Sequence, residues 1–467
     1  MKKRSRRDNT TVPKSRELKY VDLFAGSGGL SLGLEKAGWS LEFAVEKSPM
    51  AAETFGHNLV QAINDKSVWP RYTLEHTLDE MMRKKLVVAE VGSLLKSPSA
   101  RARLKNLKVD LVVGGPPCQG FSLAGRRNSS DERNTLPFDF VDIVKAVRPK
   151  FVVMENVLGM HSKFSKTETT TYEDLYSLLQ SPGNGLEYTV QRIMANALHF
   201  GAAQNRPRLL LVAMRKELAE AKGITASSSI WRSEFSDELT GEIPDLAPIP
   251  IPRKKAATVR DALSDYVFGV ESPYTKFLKS HKEWPMLGRN PVTNFEKRTH
   301  NSATVQKFLT YQLLKKLKLS PALIKEPVTD TDFAKRKLDL RSLKDLKYPI
   351  SFAGDPSFVK DIRNFKLILD AFKTRKHSQR VLDLDLPSPT VVTAPDDFIH
   401  PTEPRVLTVR EFARIQGFPD AFEFRSKVTT GGLQRRHEVP QYSQVGNAVS
   451  PFVATAIGRR LKDIAEL

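Results

Sequence analysis

Cys118 is the single cysteine of a 467-residue chain, and it stands in the segment DLVVGGPPCQGFSLAGRR, residues 110–127. A lone free cysteine usually packs as a small apolar side chain. Three features here argue instead for reactivity. Two prolines stiffen the backbone before it, polar Gln119 and Ser122 follow it, and Arg126, Arg127 and Arg133 lie downstream. Nearby positive charge lowers a thiol pKa and raises the fraction of thiolate, the form that attacks electrophiles. The pattern points to nucleophilic catalysis, which needs a partner able to hold or protonate the electrophile. Glu155, in ENV (155–157), is the candidate acid at the end of the next apolar run. QNRPR (204–208) offers Arg206 and Arg208 as a pair beside a further apolar run.

A second constellation is DLFAGSGGLSLG, residues 22–33. Glycines between a strand and a helix let backbone amides approach a ligand at the helix amino terminus. Glu46 follows Gly26 by 20 residues, a spacing that suits a carboxylate gripping ribose hydroxyls. The full GxGxxG pattern is absent, because Ser31 stands where its last glycine would be. The turn could be structural, bind a dinucleotide or bind S-adenosylmethionine; the lack of a second mononucleotide-binding half argues against the dinucleotide.

These residues need a frame. LKYVDLF (18–24), LEFAVE (41–46), KLVVAE (85–90), VDLVVG (109–114) and KFVVMEN (150–156) read as strands, with helical patterns such as PMAAETFGHNL (49–59) and TLPFDFVDIVKAV (135–147) between them. Strands alternating with helices predict a doubly wound α/β sheet, mostly parallel and covered on both faces. Its carboxyl edge is where such sheets bind ligands, and Cys118 and Glu155 both fall just there. YTVQRIMA (188–195) and RLLLVAMR (208–215) predict an antiparallel hairpin at the sheet edge. IPDLAPIPIPRKK (243–255) reads as a proline-rich linker, and the patterning from about 270 to 390 is irregular. Order returns with LTVREFARIQGFP (407–419), and the chain closes on the helical SPFVATAIGRRLKDIAEL (450–467).

The formal net charge is +20. Residues 1–20 hold eight Lys/Arg against two acids, and residues 271–390 hold 24 against 13, so these two segments supply 17 of the excess charges. Two localised basic regions on a balanced chain favour a nucleic-acid partner. One cysteine excludes an internal disulfide and a multi-cysteine zinc site, and no metal is expected. No run reaches 18 apolar residues, and the basic start MKKRSRRDNTT has no apolar stretch behind it. A reducing cytoplasmic setting, without membrane or secretion, is the expectation.

Taken in order, DLFAGSGGLSLG, GGPPCQGFS, ENV, QNRPR, REFARIQGFPD and QVGNAVSP resemble the motifs of the bacterial, restriction-modification type of DNA (cytosine-5) methyltransferase, running from residue 22 to 451. The resemblance implies the S-adenosylmethionine-dependent methyltransferase fold with a second, irregular DNA-recognition domain. It implies divisions at 1–17 (basic tail), 18–266 (catalytic and cofactor domain), 267–395 (target recognition) and 396–467 (return to the catalytic domain). It assigns Cys118 as the thiolate that adds to carbon 6 of a flipped cytosine, Glu155 as the group holding or protonating ring nitrogen 3, and Arg208 with Arg206 as the hold on the base's carbonyl oxygen and on the cysteine loop. S-adenosylmethionine, leaving as S-adenosylhomocysteine, would sit against Phe24, Ala25, Gly26, Ser27, Gly28, Gly29, Leu30, Glu46, Pro116, Asn447, Ala448 and Val449. Glu90 stands where the family often has an aspartate, and Lys47 where an apolar neighbour of adenine is common. LAGRRNSSDERN (123–134) matches the family's mobile loop, so Gln119, Ser122, Arg126, Arg127 and Arg133 become DNA contacts. The implied partners are double-stranded DNA and a cognate restriction endonuclease acting on the same sequence, with the chain a monomer. Two other readings stand beside this one: a transfer-RNA cytosine-5 methyltransferase, and a non-catalytic DNA-binding regulator on the same scaffold.

Overall fold

The computed structural model describes residues 16–65, 69–117, 136–156, 171–285, 292–432, 434 and 437–467. An eight-stranded sheet organises the first half of the chain: β1 (Lys19–Leu23), β2 (Ser40–Val45), β3 (Leu86–Val87), β4 (Leu111–Gly114), β5 (Phe151–Asn156), β6 (Tyr188–Asn196), β7 (Pro207–Arg215) and β8 (Ile230–Arg232). The strands lie in the order β3-β2-β1-β4-β5-β7-β6-β8. Only β7 runs against its neighbours, pairing antiparallel with both β5 and β6. All other pairings are parallel. The strand order reverses between β1 and β4, the crevice position at which doubly wound sheets bind ligands.

Both faces of the sheet are covered, which is why its inner strands read as continuous apolar runs. One core packs Tyr20, Ala44, Leu111, Phe151 and Leu210 with Leu34 and Ile457; the other packs Val21, Phe43, Val112, Val152 and Leu209 with Phe140 and Ile143. The expected hairpin is present, with β7 wedged inside the sheet and the three-residue β8 forming the outer edge. The proline-rich segment 243–255 is less of a free linker than its composition predicts, since Leu246 and Ala247 are buried in the sheet's core.

Two helices frame the glycine turn. The helix Gly29–Lys36 follows it, and the helix Pro451–Glu466 lies across the first. A Cβ at Gly33 would come within 2.4 Å of Ala454 Cβ and 2.5 Å of Pro451 O, so only glycine permits this approach. Trp39 Nε1 donates to Gly458 O at 2.8 Å. The far end of the chain is thereby built into the first βα unit.

Residues 271–390 are more regular than their pattern predicts. They form helices Ser302–Lys316, Asp330–Asp339 and Ile362–Ala371 and a small hairpin of Ile350–Phe352 with Asp355–Val359. Phe308, Leu314, Leu323, Phe365 and Leu369 pack there with Ile399 and Val406 into a separate core. The helix Val409–Gln416, from REFARIQGFP, opens on a capping box of Thr408 with Glu411. Its Arg414 is fully buried, 2.6 Å from both Asp265 and Asp420. Among the described residues no helix is long and apolar enough to cross a membrane.

Candidate active site

The glycine turn leaves β1 with Phe24, Gly26 and Gly28 all at positive φ (58°, 56° and 98°). Gly28 caps the helix Gly29–Lys36 without any side-chain hydrogen bond, so the first amides of the helix carry the partial positive charge that attracts a ligand's polar groups. A Cβ at Gly26 would meet nothing within 4 Å; this side of the turn faces open space. Glu46, just past β2, accepts from Gly26 N at 2.8 Å and from Ser48 N at 2.7 Å. Burial pushes its carboxyl up, and backbone N–H groups of Ser48, Gly26 and Lys47 pull it back. With three backbone donors on about four acceptor positions, the carboxylate has room for one further donor. Glu90, immediately before the helix Val91–Lys96, is held 2.5 Å from Lys47 Nζ. Lys47 thus reaches from the end of β2 to the acid beyond β3, rather than offering an apolar surface.

One residue of this region escaped the sequence reading. Asp22 is 1% exposed, with Oδ2 accepting from Ser31 Oγ at 2.6 Å and Oδ1 without a partner. The available signal was an acid inside the otherwise apolar run YVDLF. Burial, opposed by the Ser31 hydroxyl and reinforced by Glu46, pushes the Asp22 carboxyl up to about 7. Its neighbours in charge also include Tyr20 and, through Tyr20, Glu35. Since the folded pKa is raised above the unfolded one, the stability Asp22 contributes is full at low pH and is lost as pH rises through about 7. Asp22→Asn is therefore expected to flatten the fall in melting temperature from pH 5 to pH 8 (roughly, from the ordinary carboxylate range upward), measured by circular dichroism. Slopes identical to wild type would refute a buried protonated acid at this position.

The turn QVGNAV meets the glycine turn from the far end of the chain. Ser27 Oγ donates to Gln444 O at 3.4 Å, and a Cβ at Gly29 would lie 2.2 Å from Val449 O and 3.3 Å from Ala448 Cβ. Asn447 is exposed between buried Gly446 and Ala448. Phe24, Ala25, Gly26, Ser27, Gly28, Gly29, Leu30, Glu46, Ala448 and Val449 therefore share one neighbourhood, with Asn447 at its rim.

The second half of the site lies one strand over. β4 and β5 are parallel neighbours with Gly114 opposite Met154, so Gly115, Pro116 and Pro117 leave the sheet beside Glu155. A Cβ at Gly115 would be 2.9 Å from Glu155 Oε2, and Asn156 Nδ2 donates to buried Pro116 O at 3.3 Å. Arg208 Nε lies 3.0 Å from Glu155 Oε1, with both side chains largely buried. Burial pushes the Glu155 carboxyl above its ordinary range, and Arg208, then Arg206, pull it part of the way back. The arrangement is an acid at the sheet's carboxyl edge, able to keep a proton to higher pH than an exposed glutamate, with its position fixed by a guanidinium.

Arg206 requires a correction. The resemblance puts it with Arg208 on the base and the cysteine loop; the loop lies outside the described residues. Toward the base, Arg206 is 1% exposed, with its guanidinium donating to Val391 O (2.9 Å), Gly446 O (2.6 Å) and Ala448 O (3.0 Å). Three backbone carbonyls take it away from Glu155's edge, because the loop before β7 is buried under the 387–393 and 446–448 segments. Cys118, Gln119, Ser122, Arg126, Arg127 and Arg133 lie outside the described residues.

A sequence-family model described as C-5 cytosine-specific DNA methylase matches residues 18–463. Type II methyltransferase M.DdeI of Desulfomicrobium norvegicum is 29% identical over 446 residues, covering 95% of this chain and 88% of the relative. Type II methyltransferase M.XorII of Xanthomonas oryzae pv. oryzae is 29% identical over 447 residues, covering 94% and 84%. DNA (cytosine-5)-methyltransferase 1B of rice is 29% identical over 490 residues, 98% of this chain but 29% of that much longer protein. Among solved structures, a prophage-encoded DNA modification methyltransferase of E. coli matches with a TM-score of 0.51 at 23% identity, covering 97% of this chain and 100% of that one. This last likeness speaks to the fold alone.

Proposed function

The chain belongs to the C-5 cytosine-specific DNA methylases, and from that membership we propose how its own residues carry the reaction and in what setting. It is a DNA (cytosine-5) methyltransferase. Cys118, one residue beyond the proline pair that leaves β4, is the nucleophile: its thiolate adds to carbon 6 of a cytosine, and the electron pair of the ring double bond moves toward carbon 5. Glu155 receives the developing charge by hydrogen-bonding or protonating ring nitrogen 3, and Arg208 orients that carboxyl. S-adenosylmethionine, when bound, supplies the methyl group that carbon 5 accepts, leaving as S-adenosylhomocysteine. Loss of the proton on carbon 5 then re-forms the double bond and expels the cysteine. The reacting atoms are stacked inside a duplex, so the cytosine must leave its helix first.

The residues around the glycine turn suit such a donor. Open space at Gly26, uncapped amides at Gly29 and the carboxyl group of Glu46 together favour a ligand carrying hydroxyl groups. Glu46 would hold the ribose, Phe24 and Pro116 the flanks, and Asn447 the rim. The single observation carrying the catalytic reading is the Glu155–Arg208 pair abutting Gly115, three residues before Cys118.

The setting we propose is bacterial and cytoplasmic, with a monomer acting as the modification half of a restriction-modification pair whose nuclease reads the same sequence. The Type II names of its relatives support this. Domain limits at 18–266, 267–395 and 396–467 belong to the same proposal. No observation favours a transfer-RNA substrate or a non-catalytic role. Bisulfite sequencing of DNA from cells expressing the chain tests the reading: protected cytosines in one sequence context support it, and uniformly converted DNA contradicts it.

The 267–395 region would supply phosphate contacts. Lys335, Lys337, Lys344, Lys347, Lys360 and Lys366 are exposed and form no ion pair with described residues. If several of them meet phosphates, the logarithm of the duplex binding constant falls linearly with the logarithm of salt, at a slope of about −0.9 per contact. Charge reversal at Lys344 and Lys347 should make that slope shallower in fluorescence anisotropy titrations, and an unaltered slope would remove them from the interface.

A further inference from the structure

Arg206 sits at the centre of a buried hub that ties three parts of the chain together. Its guanidinium reaches Val391 O, Gly446 O and Ala448 O, and its backbone N–H donates to Asn196 Oδ1 at 2.9 Å. Gln204, also fully buried, accepts from Val391 N at 2.6 Å and donates to Gln416 Oε1. Gln416 in turn donates to Ala448 O at 2.6 Å. Asn205 N donates to Ser388 O, and Ser388 N to Ala203 O. The loop 203–206 is thus the seam on which the segment 387–393 and the turn 446–448 are both laid.

That seam bears on the methyl donor's side of the site, not the cytosine's. The 446–449 turn touches Gly29 so closely that no Cβ fits, and Ser27 Oγ donates to Gln444 O. At Gly446 a Cβ would stand 2.6 Å from Val392 C, so the turn and the 387–393 segment are in backbone contact. Arg206's forked donors hold both at fixed spacing, and a displaced turn would move Asn447, Ala448 and Val449 relative to the glycine turn. Arginine is suited to this task because its planar fork serves several acceptors at once, which a lysine ammonium on a flexible stem does not reproduce.

We propose that Arg206 is a positioning residue for methyl-donor binding: it sets the 446–448 turn against the glycine turn by anchoring it to the 387–393 segment. The inference rests on the reading that the glycine turn holds the donor. Its test compares full-length Arg206→Lys, Gly446→Ala and Arg208→Lys with wild type, after thermal melts establish folding. Isothermal titration with S-adenosylhomocysteine reads affinity without turnover, and steady-state kinetics separate donor KM from kcat. Arg206→Lys is expected to raise the dissociation constant and the donor KM at least tenfold, with kcat falling by less than KM rises. Gly446→Ala, which moves the same turn by another route, should raise the dissociation constant in the same direction. Arg208→Lys should do the reverse, losing kcat with donor affinity within threefold of wild type. Unchanged affinity in Arg206→Lys with a collapse of kcat would overturn the proposal and return Arg206 to the base. Should that variant not fold, Gly446→Ala decides, and wild-type affinity there overturns the proposal equally. A wild type that methylates DNA but binds no S-adenosylhomocysteine contradicts the donor reading itself, a distinguishable failure.

Discussion

Cys118→Ala is expected to abolish methyl transfer, with a loss on the order of 10³-fold or more, while duplex binding is largely retained. The size follows from covalent catalysis: without addition at carbon 6, carbon 5 of cytosine is a poor nucleophile, and the chain has no second cysteine to take the place of Cys118. Removing a nucleophile that acts as part of a unit costs orders of magnitude, because the remaining groups have nothing to act on. Binding survives because phosphate contacts dominate affinity for DNA. A filter assay with radiolabelled donor reads the first quantity and a gel-shift titration the second. Retained turnover would rule out the thiol mechanism whatever the binding shows.

Glu155→Gln is the second large effect, about 10²–10⁴-fold in kcat, the usual range for a positioned acid. Glutamine nearly matches the shape and can still accept a hydrogen bond from Arg208, but it cannot deliver a proton and no longer balances the guanidinium 3.0 Å away. Leaving Arg208 without its carboxylate should also cost about 1–3 kcal/mol of stability, read as a shift in the urea midpoint. The pH profile supplies a signature. Burial raises this carboxyl despite Arg208 and Arg206, so the protonated acid persists above the usual glutamate range. Activity that depends on that proton falls as pH rises through the folded pKa, and the Gln variant should lack this limb. A variant with the wild-type profile would mean that Glu155 orients the base without protonating it.

Much of this was legible in the residues. Apolar runs ending in GGPP and EN gave β4 and β5, and their pairing as parallel neighbours brings Gly115 to Glu155. The helix Pro49–Leu59 was visible to the residue, because Pro49 takes its first position; the structure adds a cap from the Ser48 side chain. Other features had no local signal. Three-residue β8 is too short to show alternation, and β7's place between β5 and β6 is a matter of pairing, not of periodicity. The helix Ser302–Lys316 buries Phe308 and the consecutive residues 310–314, so no single stripe appears, and Asp330–Asp339 buries none of its residues. Arg206 was misassigned for a related reason: the sequence shows two arginines in one loop, while only tertiary packing reveals that one faces an acid and the other three carbonyls. Asp22 was passed over because a strand acid carries meaning only once its partners are known.

The bond from Trp39 to Gly458 joins residues 419 positions apart, and the first helix buries one side against the helix Pro451–Glu466, with Gly33 against Ala454 and Leu34 against Gly458. During synthesis the first helix therefore emerges from the ribosome with that side bare, and its cover follows only much later, with Gly458 lying 419 positions beyond Trp39. Until then the glycine turn also lacks the 446–449 turn that abuts Gly29 and the carbonyl of Gln444 that accepts from Ser27. A chain released before that point would expose the side of the first helix that Ala454 and Gly458 cover, an apolar surface of the kind that chaperones bind.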